Sequence, residues 1–271
     1  MLSSVLSSSP PSPKPEFDLD YSIHDFKAEP YPDSQYLYRR IEESMIDEGT
    51  IAGGRTLDVA CGVGKIAIEI GKRGTTGFGL EPSNEMLGLS RYLFPKADAT
   101  FVRGVAEALP FADSSFDRVI CQGALDHFVS PHDFMREAAR IVRPDGRVVI
   151  ALANYESLSC KLGRAGRAIA QRFFKRELYA HRPYYDMPED HFHKGTLGFV
   201  KALGGRELQL ERCYGISMLW LLRAGERRSW GKALARWPEP LARSALVVLD
   251  RIAYRTPLFA DMIVSVWKPL R

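Results

Sequence analysis

Short apolar runs alternate with longer segments of helical period through residues 56–154. In the longer segments apolar residues recur every three or four positions, as on the buried face of a helix. The runs that predict strands are 56–60, 76–83, 99–106, 116–125 and 147–154. The segments that predict helices are 65–74, 83–95 and 130–146. Because strands that alternate with helices form a parallel sheet covered on both faces, the pattern predicts a doubly wound α/β fold.

Several predicted helix boundaries carry residues that satisfy free backbone groups at helix ends. Ser83 and Ser130 stand at N-cap positions, and Pro131 follows at a first helical position. Gly74 stands where the helix after the first strand should end. Since open α/β sheets bind ligands beyond the carboxyl ends of their strands, the residues that follow each strand are the candidates for a site.

The sequence "GVGKIA" follows the first strand and forms a glycine turn of the kind that holds nucleotides. A P-loop for triphosphates is excluded, because Val59 occupies the first glycine position and Ile66 the position of the magnesium-binding hydroxyl. The turn does fit the dinucleotide pattern G-x-G-x-x-G/A, with Glu81 seventeen residues after Gly64. An NAD(P)-dependent oxidoreductase therefore stays open as an alternative.

Asp58 argues against a ligand that carries a pyrophosphate. It lies inside the first strand, four residues before Gly62, so its carboxylate is predicted beside the turn. A buried carboxylate is costly without a partner, and it would repel a pyrophosphate. The same carboxylate would attract a ligand with a positive ammonium and sulfonium, so the residues favour a cationic ligand.

Four consecutive segments resemble the motifs of the class I S-adenosylmethionine-dependent methyltransferases, in particular the small-molecule subgroup called type 11. They read "LDVACGVGK", "GLEPSNEML", "VAEALPFADSSFDRVICQGALDHF" and "RIVRPDGRVVIALAN". The resemblance covers about residues 50–154 with matching order and spacing. It implies a Rossmann-like, seven-stranded, mostly parallel sheet with an antiparallel last strand, the sixth and seventh strands falling at 206–215 and 260–269.

The resemblance also implies roles for individual residues in binding S-adenosylmethionine. Asp58 would meet the methionine ammonium, Glu81 would accept bonds from both ribose hydroxyls, and Gln122 would lie near the methionine end. Met86 and Leu109 would flank the adenine. The residues assigned to the cofactor are Asp58, Ala60, Gly62, Gly64, Glu81, Pro82, Met86, Ala106, Glu107 and Gln122.

This sequence departs from the family pattern at two positions. Ala60 stands where many members have glycine, which is a mild change. Val105 stands where many members have an aspartate for the adenine amine, so the expected partner of that amine is instead Glu107.

Histidines are the candidates for proton transfer from an oxygen or nitrogen acceptor. His127 follows the fourth strand on the active face and is the first candidate for a general base; His191 is the second. His191 and His193 also form an H-x-H pair, which we interpret as positioning or substrate contact, and no metal site is predicted.

Two long insertions, 155–192 after the fifth strand and 216–258 after the sixth, are predicted to form a helical cap on the ligand side. The substrate pocket is expected from Tyr155, Tyr184, Tyr185, His193 and Trp220. The predicted organisation begins with a disordered arm at 1–20 and a cofactor-binding core at 21–154, whose N-terminal segment 36–46 is expected to form a helix over the methionine end. The first cap insertion at 155–192, a core helix and strand six at 193–215, the second insertion at 216–258 and strand seven at 259–271 follow.

Composition narrows the class of partner. No run of 18 apolar residues predicts a membrane span, the first residues do not resemble a secretory signal, and four scattered cysteines suggest reduced thiols in the cytoplasm. Residues 155–258 carry 19 basic and 10 acidic residues, a net charge of +9, whereas the remainder carries 18 and 23, a net charge of −5. The basic half is either a solvated surface or a face for anionic substrates or lipid headgroups. Nucleic acid is disfavoured because the basic residues form no compact block.

The predicted activity is in-line transfer of a methyl group to an oxygen, nitrogen or carbon of a small or amphipathic metabolite, leaving S-adenosylhomocysteine. The basic insertions would also suit an anionic metabolite. The cap would exclude water and align the acceptor. A peripheral membrane contact of the basic insertions stays open. A non-catalytic relative that only binds the cofactor is the other alternative, beside the oxidoreductase.

Overall fold

The computed structural model describes residues 32–174, 187, 191–218 and 239–270. Its strands are β1 (Arg55–Val59), β2 (Thr76–Glu81), β3 (Ala99–Arg103), β4 (Phe116–Gln122), β5 (Val142–Ala153), β6 (Leu208–Ile216) and β7 (Met262–Pro269). Its helices are α1 (Pro32–Gly49), α2 (Lys65–Lys72), α3 (Asn84–Leu93), α4 (Pro131–Ile141), α5 (Leu158–Phe174), α6 (Leu197–Ala202) and α7 (Glu239–Arg255).

The seven strands form one sheet in the order β3-β2-β1-β4-β5-β7-β6. Strands β1 to β5 pair in parallel, whereas β7 runs antiparallel to both of its neighbours, β5 and β6. The predicted fold class, with its single antiparallel strand, is therefore confirmed. The chain runs outward in one direction from β1 to β3 and in the other from β4, which makes the gap between β1 and β4 the switch point where such sheets bind ligands.

The predicted capping residues occupy the positions expected of them. The Ser83 hydroxyl accepts from the amide of Met86, and the Ser130 hydroxyl accepts from the amide of Asp133. Gly74 follows α2 with φ 84°, a left-handed conformation that costs glycine little. The local sequence thus sets where these three helices begin or end.

Several predicted extents were wrong, among them those of β2 and β3, which end at Glu81 and Arg103 and not at residues 83 and 106. The fourth helix ends at Ile141, and the "RPDG" segment belongs to β5, whose pairing with β4 shifts register between Phe116 and Arg118. Asp117 explains why the "RPDG" segment lies beside β4. Its carboxylate accepts hydrogen bonds from the Arg143 side chain (2.5 Å) and from the Arg55 amide (2.8 Å). Strand β4 ends at Gln122 because the next residue is a glycine with φ 63°, after which residues 125–127 form a short 3₁₀ turn.

Apolar residues cover both faces of the sheet. Successive strand residues point to opposite faces, and along β5 Val148 and Ile150 join one apolar cluster whereas Val149 and Ala151 join the other. The second cluster contains Leu37, Ile41 and Met45, so α1 packs on that face.

Helix α1 is tied to the far edge of the sheet by a polar cluster. Glu48 accepts from the Arg212 guanidinium (2.5 and 2.6 Å) and from the Tyr214 hydroxyl (2.9 Å). The hydroxyls of Ser44 and Tyr214 lie 2.7 Å apart. These contacts join the last turns of α1 to β6 and leave its middle turns over the switch point.

The predicted cap segments are only partly described. Helix α5 follows β5, and α7 precedes β7. The predicted arm at 1–20 lies outside the described residues, as do 175–186, 188–190 and 219–238 of the two insertions. Within the described ranges no helix combines the length and apolar character needed to cross a membrane.

Candidate active site

Three polar side chains project from the ends of β1, β2 and β4 toward α1. In β1 the neighbours of Asp58, Leu57 and Val59, pack in the cluster opposite α1. Alternation therefore directs Asp58 to the α1 face. The same reasoning holds for Glu81 after Leu80 and for Gln122 after Cys121. Three polar groups thus meet at the switch point of an otherwise apolar face.

A cavity of about 360 Å³ opens there, within the range of about 300–1,000 Å³ typical of small-molecule sites. Strand ends and the glycine turn form its floor, and α1 forms one wall. Its lining residues are Tyr38, Glu42, Asp58, Ala60, Cys61, Gly62, Val63, Lys65, Ile66, Leu80, Glu81, Pro82, Met86, Val105, Ala106, Glu107, Gln122, Gly123, Ala124, His127, Phe128 and Val129.

Glu81 is held in place by backbone amides. Its Oε2 accepts from the amide of Gly62 (2.9 Å) and its Oε1 from the amide of Ser83 (3.0 Å). Burial raises the pKa of Glu81, and these two hydrogen bonds act in the opposite direction. The carboxylate is therefore a fixed acceptor between the glycine turn and α3.

Asp58 is 2% exposed, and burial together with the charge of Glu81 raises its pKa to about 8. The Oε1 atom of Gln122 is buried and has no hydrogen-bond partner among the described residues. Lys65 also lines the cavity, but its Nζ lies 2.6 and 2.8 Å from the Glu42 carboxylate oxygens. This end of the cavity therefore presents acceptors and negative charge, and it suits a ligand that brings a positive group with N–H donors.

The glycine turn brings backbone close to the cavity. Gly64 has φ 75°, and a Cβ there would lie 2.1 Å from the Phe101 ring, so no side chain fits. Ala60 also has positive φ, 56°, which is uncommon for a residue with a side chain. Gly62, with φ 56°, completes a tight bend.

Nine of the ten residues predicted for the cofactor line this cavity, the exception being Gly64, which supports the turn from behind. Leu109, expected to flank the adenine, is instead 1% exposed in the main core. Glu107 has a further contact that the sequence did not indicate, because its Oε1 accepts from the amides of Val129 (3.0 Å) and Ser130 (3.4 Å). It thus joins the cavity wall to the start of α4.

A second cavity of about 280 Å³ adjoins the first, with Tyr38 and Gly123 in the walls of both. It contains two predicted residues, Tyr155 and His191. Its lining residues are Leu37, Tyr38, Ile41, Gly123, Asp126, Ala153, Asn154, Tyr155, Ser157, Cys160, His191, Asp261 and Met262.

The two candidate bases meet where the cavities adjoin. The rings of His127 and His191 have centroids 4.2 Å apart. The Nδ1 atom of His191 lies 2.9 Å from Asp126 Oδ2 and 3.3 Å from the Tyr155 hydroxyl. Donor atoms of Asp126, His127 and His191 all lie within 4.8 Å of one another, a spacing that could hold a metal ion. The short Asp126–His191 contact is equally a hydrogen bond that orients the imidazole.

The remaining predicted substrate residues divide into two groups. His193 is not part of the lining described for either cavity; its Nε2 lies 3.0 Å from the carbonyl oxygen of Phe128, and its ring stacks on Phe199. Tyr184, Tyr185 and Trp220 lie outside the described residues.

Several lining residues were not singled out from the sequence. Tyr38 and Glu42 are spaced i, i+4 on one face of α1; residues 36–46 were predicted to form a helix over the methionine end, but these two side chains were given no contact. Asp126, which directly precedes the candidate base His127, was given no role, although it is 2% exposed. A buried acid next to a histidine was the available signal.

Comparison with known sequences finds methyltransferases. A family model described as a methyltransferase domain matches residues 57–150, a segment that begins within β1, includes β2 to β4 and ends within β5. Methyltransferase GfsG of Streptomyces halstedii is 35% identical over 123 residues, which are 44% of this chain and 42% of that protein. Demethylmenaquinone methyltransferase of Renibacterium salmoninarum is 35% identical over 114 residues, 42% of this chain and 47% of that protein. The chain thus spans less than half the length of each of these relatives.

Solved structures share the architecture. The crystal structure of YcgJ protein from Bacillus subtilis superposes with a TM-score of 0.52 and 19% identity, covering 86% of this chain and 99% of that one. At this identity the likeness concerns the fold alone. Residues 57–150, which include strands that build the larger cavity, are therefore similar to a methyltransferase domain, and the chain shares its fold with the YcgJ protein.

Proposed function

We propose that the chain transfers a methyl group from S-adenosylmethionine to an oxygen, nitrogen or carbon atom of a small or amphipathic metabolite. The observation that carries this proposal is the acidic end of the larger cavity, where Asp58 and Glu81 share one site with a Gln122 oxygen that has no hydrogen-bond partner in the described part of the chain. A pyrophosphate would be repelled there, whereas an ammonium would satisfy the acceptors and compensate the buried charge.

Different residues of the larger cavity would bind different parts of S-adenosylmethionine. Asp58 and Gln122 would bind the methionine ammonium, and Glu81, held by two backbone amides, would accept from the ribose hydroxyls. The adenine would lie among Pro82, Met86, Ala106 and Glu107. Ala60, Gly62 and Gly64 would shape the turn beneath the methionine chain.

S-adenosylmethionine, when bound, supplies a methyl group already activated by its sulfonium. The chain's own contribution is to align an acceptor and exclude water. The second cavity is the natural place for the acceptor because it shares Tyr38 and Gly123 with the first. His127 and His191 lie at this junction and would take a proton from an oxygen or nitrogen acceptor. All four cysteines are free thiols, which supports a cytoplasmic location for the reaction.

Isothermal titration tests the cofactor assignment directly. S-adenosylmethionine and S-adenosylhomocysteine should both bind, and NAD should not. Asp58→Ala and Glu81→Ala should each weaken binding by about 1.5–3 kcal/mol, the usual size of a hydrogen bond to a charged group, which is roughly tenfold or more in affinity. Asp98→Asn, at an exposed acid in the loop before β3, is the matched control and should bind normally. Unchanged affinity in both site variants, with circular dichroism intact, would refute the assignment.

A further inference from the structure

We propose that the second cavity binds the methyl acceptor through an amine group. This inference rests on the proposed function for the identity of the cavity as the acceptor site. It narrows the acceptor from any oxygen, nitrogen or carbon nucleophile to an amine, and it departs from the anionic substrate that the basic insertions suggested.

The charge of the cavity wall is the first argument. Two carboxylates, Asp126 (2% exposed) and Asp261 (5% exposed), line it. Among the described lining residues none is lysine or arginine. The basic residues of α5, which gave the insertion its positive charge, are absent from the described lining of both cavities. A buried carboxylate favours a positive or N–H-donating ligand and disfavours an anion.

The second argument is an acceptor atom without a partner. Asp126 Oδ2 lies 2.9 Å from His191 Nδ1, but Asp126 Oδ1 is buried and has no hydrogen-bond partner among the described residues. Buried carboxylate oxygens in native proteins are nearly always satisfied. An ammonium or amine offers the N–H donors that this oxygen lacks.

The backbone of Asp126 is fixed, so this oxygen cannot easily reach another partner. Its carbonyl oxygen accepts from the amides of Phe192 (2.9 Å) and His193 (3.2 Å). The same contacts fix the segment that carries His191. Asp126 and His191 are therefore held as a pair on the cavity wall.

Aromatic rings complete a wall suited to a cation. Tyr38 and Tyr155 line the same cavity as the two carboxylates. Rings beside carboxylates attract ammonium groups through their negative faces. The Tyr155 hydroxyl lies 3.3 Å from His191 Nδ1, which places this ring next to the Asp126–His191 pair.

The Asp126–His191 pair also provides a group that can take up the proton of an ammonium acceptor. With Nδ1–H of His191 donating to Asp126, its Nε2 carries the lone pair. An ammonium acceptor would give one proton to that Nε2 and become a neutral amine. Its nitrogen lone pair then forms the N–C bond while the methyl–sulfur bond breaks and leaves its electron pair on sulfur. Asp126 is a positioning residue in this scheme, and His191 is the proton acceptor.

Matched probes test the preference on the full-length chain. Phenethylamine, phenethyl alcohol and phenylacetate share an aromatic body and differ in the polar group. Their dissociation constants are measured by ligand-observed NMR at neutral pH, with and without saturating S-adenosylhomocysteine. The amine should bind at least tenfold more tightly than the alcohol, and the carboxylate should bind most weakly.

Variants of residues in the second cavity test whether the preference for the amine arises there. Asp126→Asn should reduce the preference for the amine at least tenfold, whereas Asp98→Asn should leave it unchanged. Tyr155→Leu should weaken the amine and Tyr155→Phe should not, a comparison that stands even if Asp126→Asn fails to fold. Equal or tighter binding of the carboxylate, no binding of the amine, or an unchanged preference in folded Asp126→Asn and Tyr155→Leu proteins would overturn the proposal. Failure of S-adenosylhomocysteine to bind, with the amine preference intact, would instead refute the proposed function.

Discussion

The two adjoining cavities are built from the chain in opposite ways. Apart from two residues of α1, the larger one takes its walls from residues 58–129, and its polar groups stand at consecutive strand ends. The smaller one draws on α1, the 3₁₀ turn after β4, the segment after β5 and the start of β7, from Leu37 to Met262. The difference teaches that the proposed donor site is encoded locally, whereas the proposed acceptor site depends on contacts between distant segments.

The largest expected effect is that of a substitution at His191, which should lower turnover without changing cofactor affinity. His191→Asn should lower turnover with any amine acceptor by about 10²–10⁴-fold, the usual size of general-base catalysis. Affinity for S-adenosylhomocysteine should not change, because His191 lines only the smaller cavity. Steady-state rates and titration calorimetry measure the two quantities.

His132→Asn, an exposed histidine on α4, is the control for this experiment and should be silent. His127→Asn should lower turnover less than His191→Asn, since the carboxylate of Asp126 contacts His191. The reverse order would return the base to His127, which the sequence ranked first.

Breaking the locally encoded cavity requires a change in its glycine turn. Gly64→Ala should lower the free energy of unfolding by about 2–4 kcal/mol, because it combines a left-handed conformation with a Cβ 2.1 Å from the Phe101 ring. Gly166→Ala in α5 meets no atom within 4 Å and should instead raise stability by about 0.5–1 kcal/mol. Denaturant unfolding of both variants measures the contrast, and equal effects would show that the turn is not tightly constrained.

A pH-dependent effect on stability concerns the proton on Asp58. Its pKa is about 8 in the fold, because of burial and Glu81, against an ordinary value of 3.8. Between these values the unfolded chain has released the proton and the folded chain keeps it. Stability of the cofactor-free protein should therefore fall as pH rises from 4 to 8, by at most about 1.4 kcal/mol per pH unit from this group.

Asp58→Asn isolates this contribution. The variant should show a shallower decline in stability over the same range, measured by urea unfolding at pH 5, 6, 7 and 8. Saturating S-adenosylhomocysteine should also flatten the decline in the wild type, because its ammonium stabilises the ionised carboxylate. Parallel curves for variant and wild type would contradict the raised pKa.

Sequence reasoning predicted the sheet and the larger cavity because both depend on short-range signals. A strand end, a glycine turn and an acid recur at fixed spacing, so Asp58, Gly62 and Glu81 could be found without coordinates. Extents were less accurate where a side chain from elsewhere decides them, as Asp117 does for β5.

The smaller cavity could not be predicted, because it depends on contacts between distant parts of the chain and not on short-range signals. The contact between Asp126 and His191 joins residues far apart in the chain, and no local pattern sets that distance. Leu109 is a contact that was predicted but is not observed. Its place beside a motif suggested an adenine contact, but the residue is buried in the core. His193 likewise shares a motif with His191 but turns to a backbone carbonyl.

The polar cluster that joins α1 to β6 has a consequence for synthesis on the ribosome. Ser44 precedes Tyr214 by 170 residues, and Glu48 precedes Arg212 by 164. At about 5–20 residues per second, helix α1 emerges on the order of ten to thirty seconds before its anchor exists. A nascent chain that ends at residue 154 would contain every cofactor motif and still lack the anchor that holds Tyr38 and Glu42 over them. Helix α1, the first of the described helices to leave the ribosome, is therefore among the last parts of the site to be fixed in place.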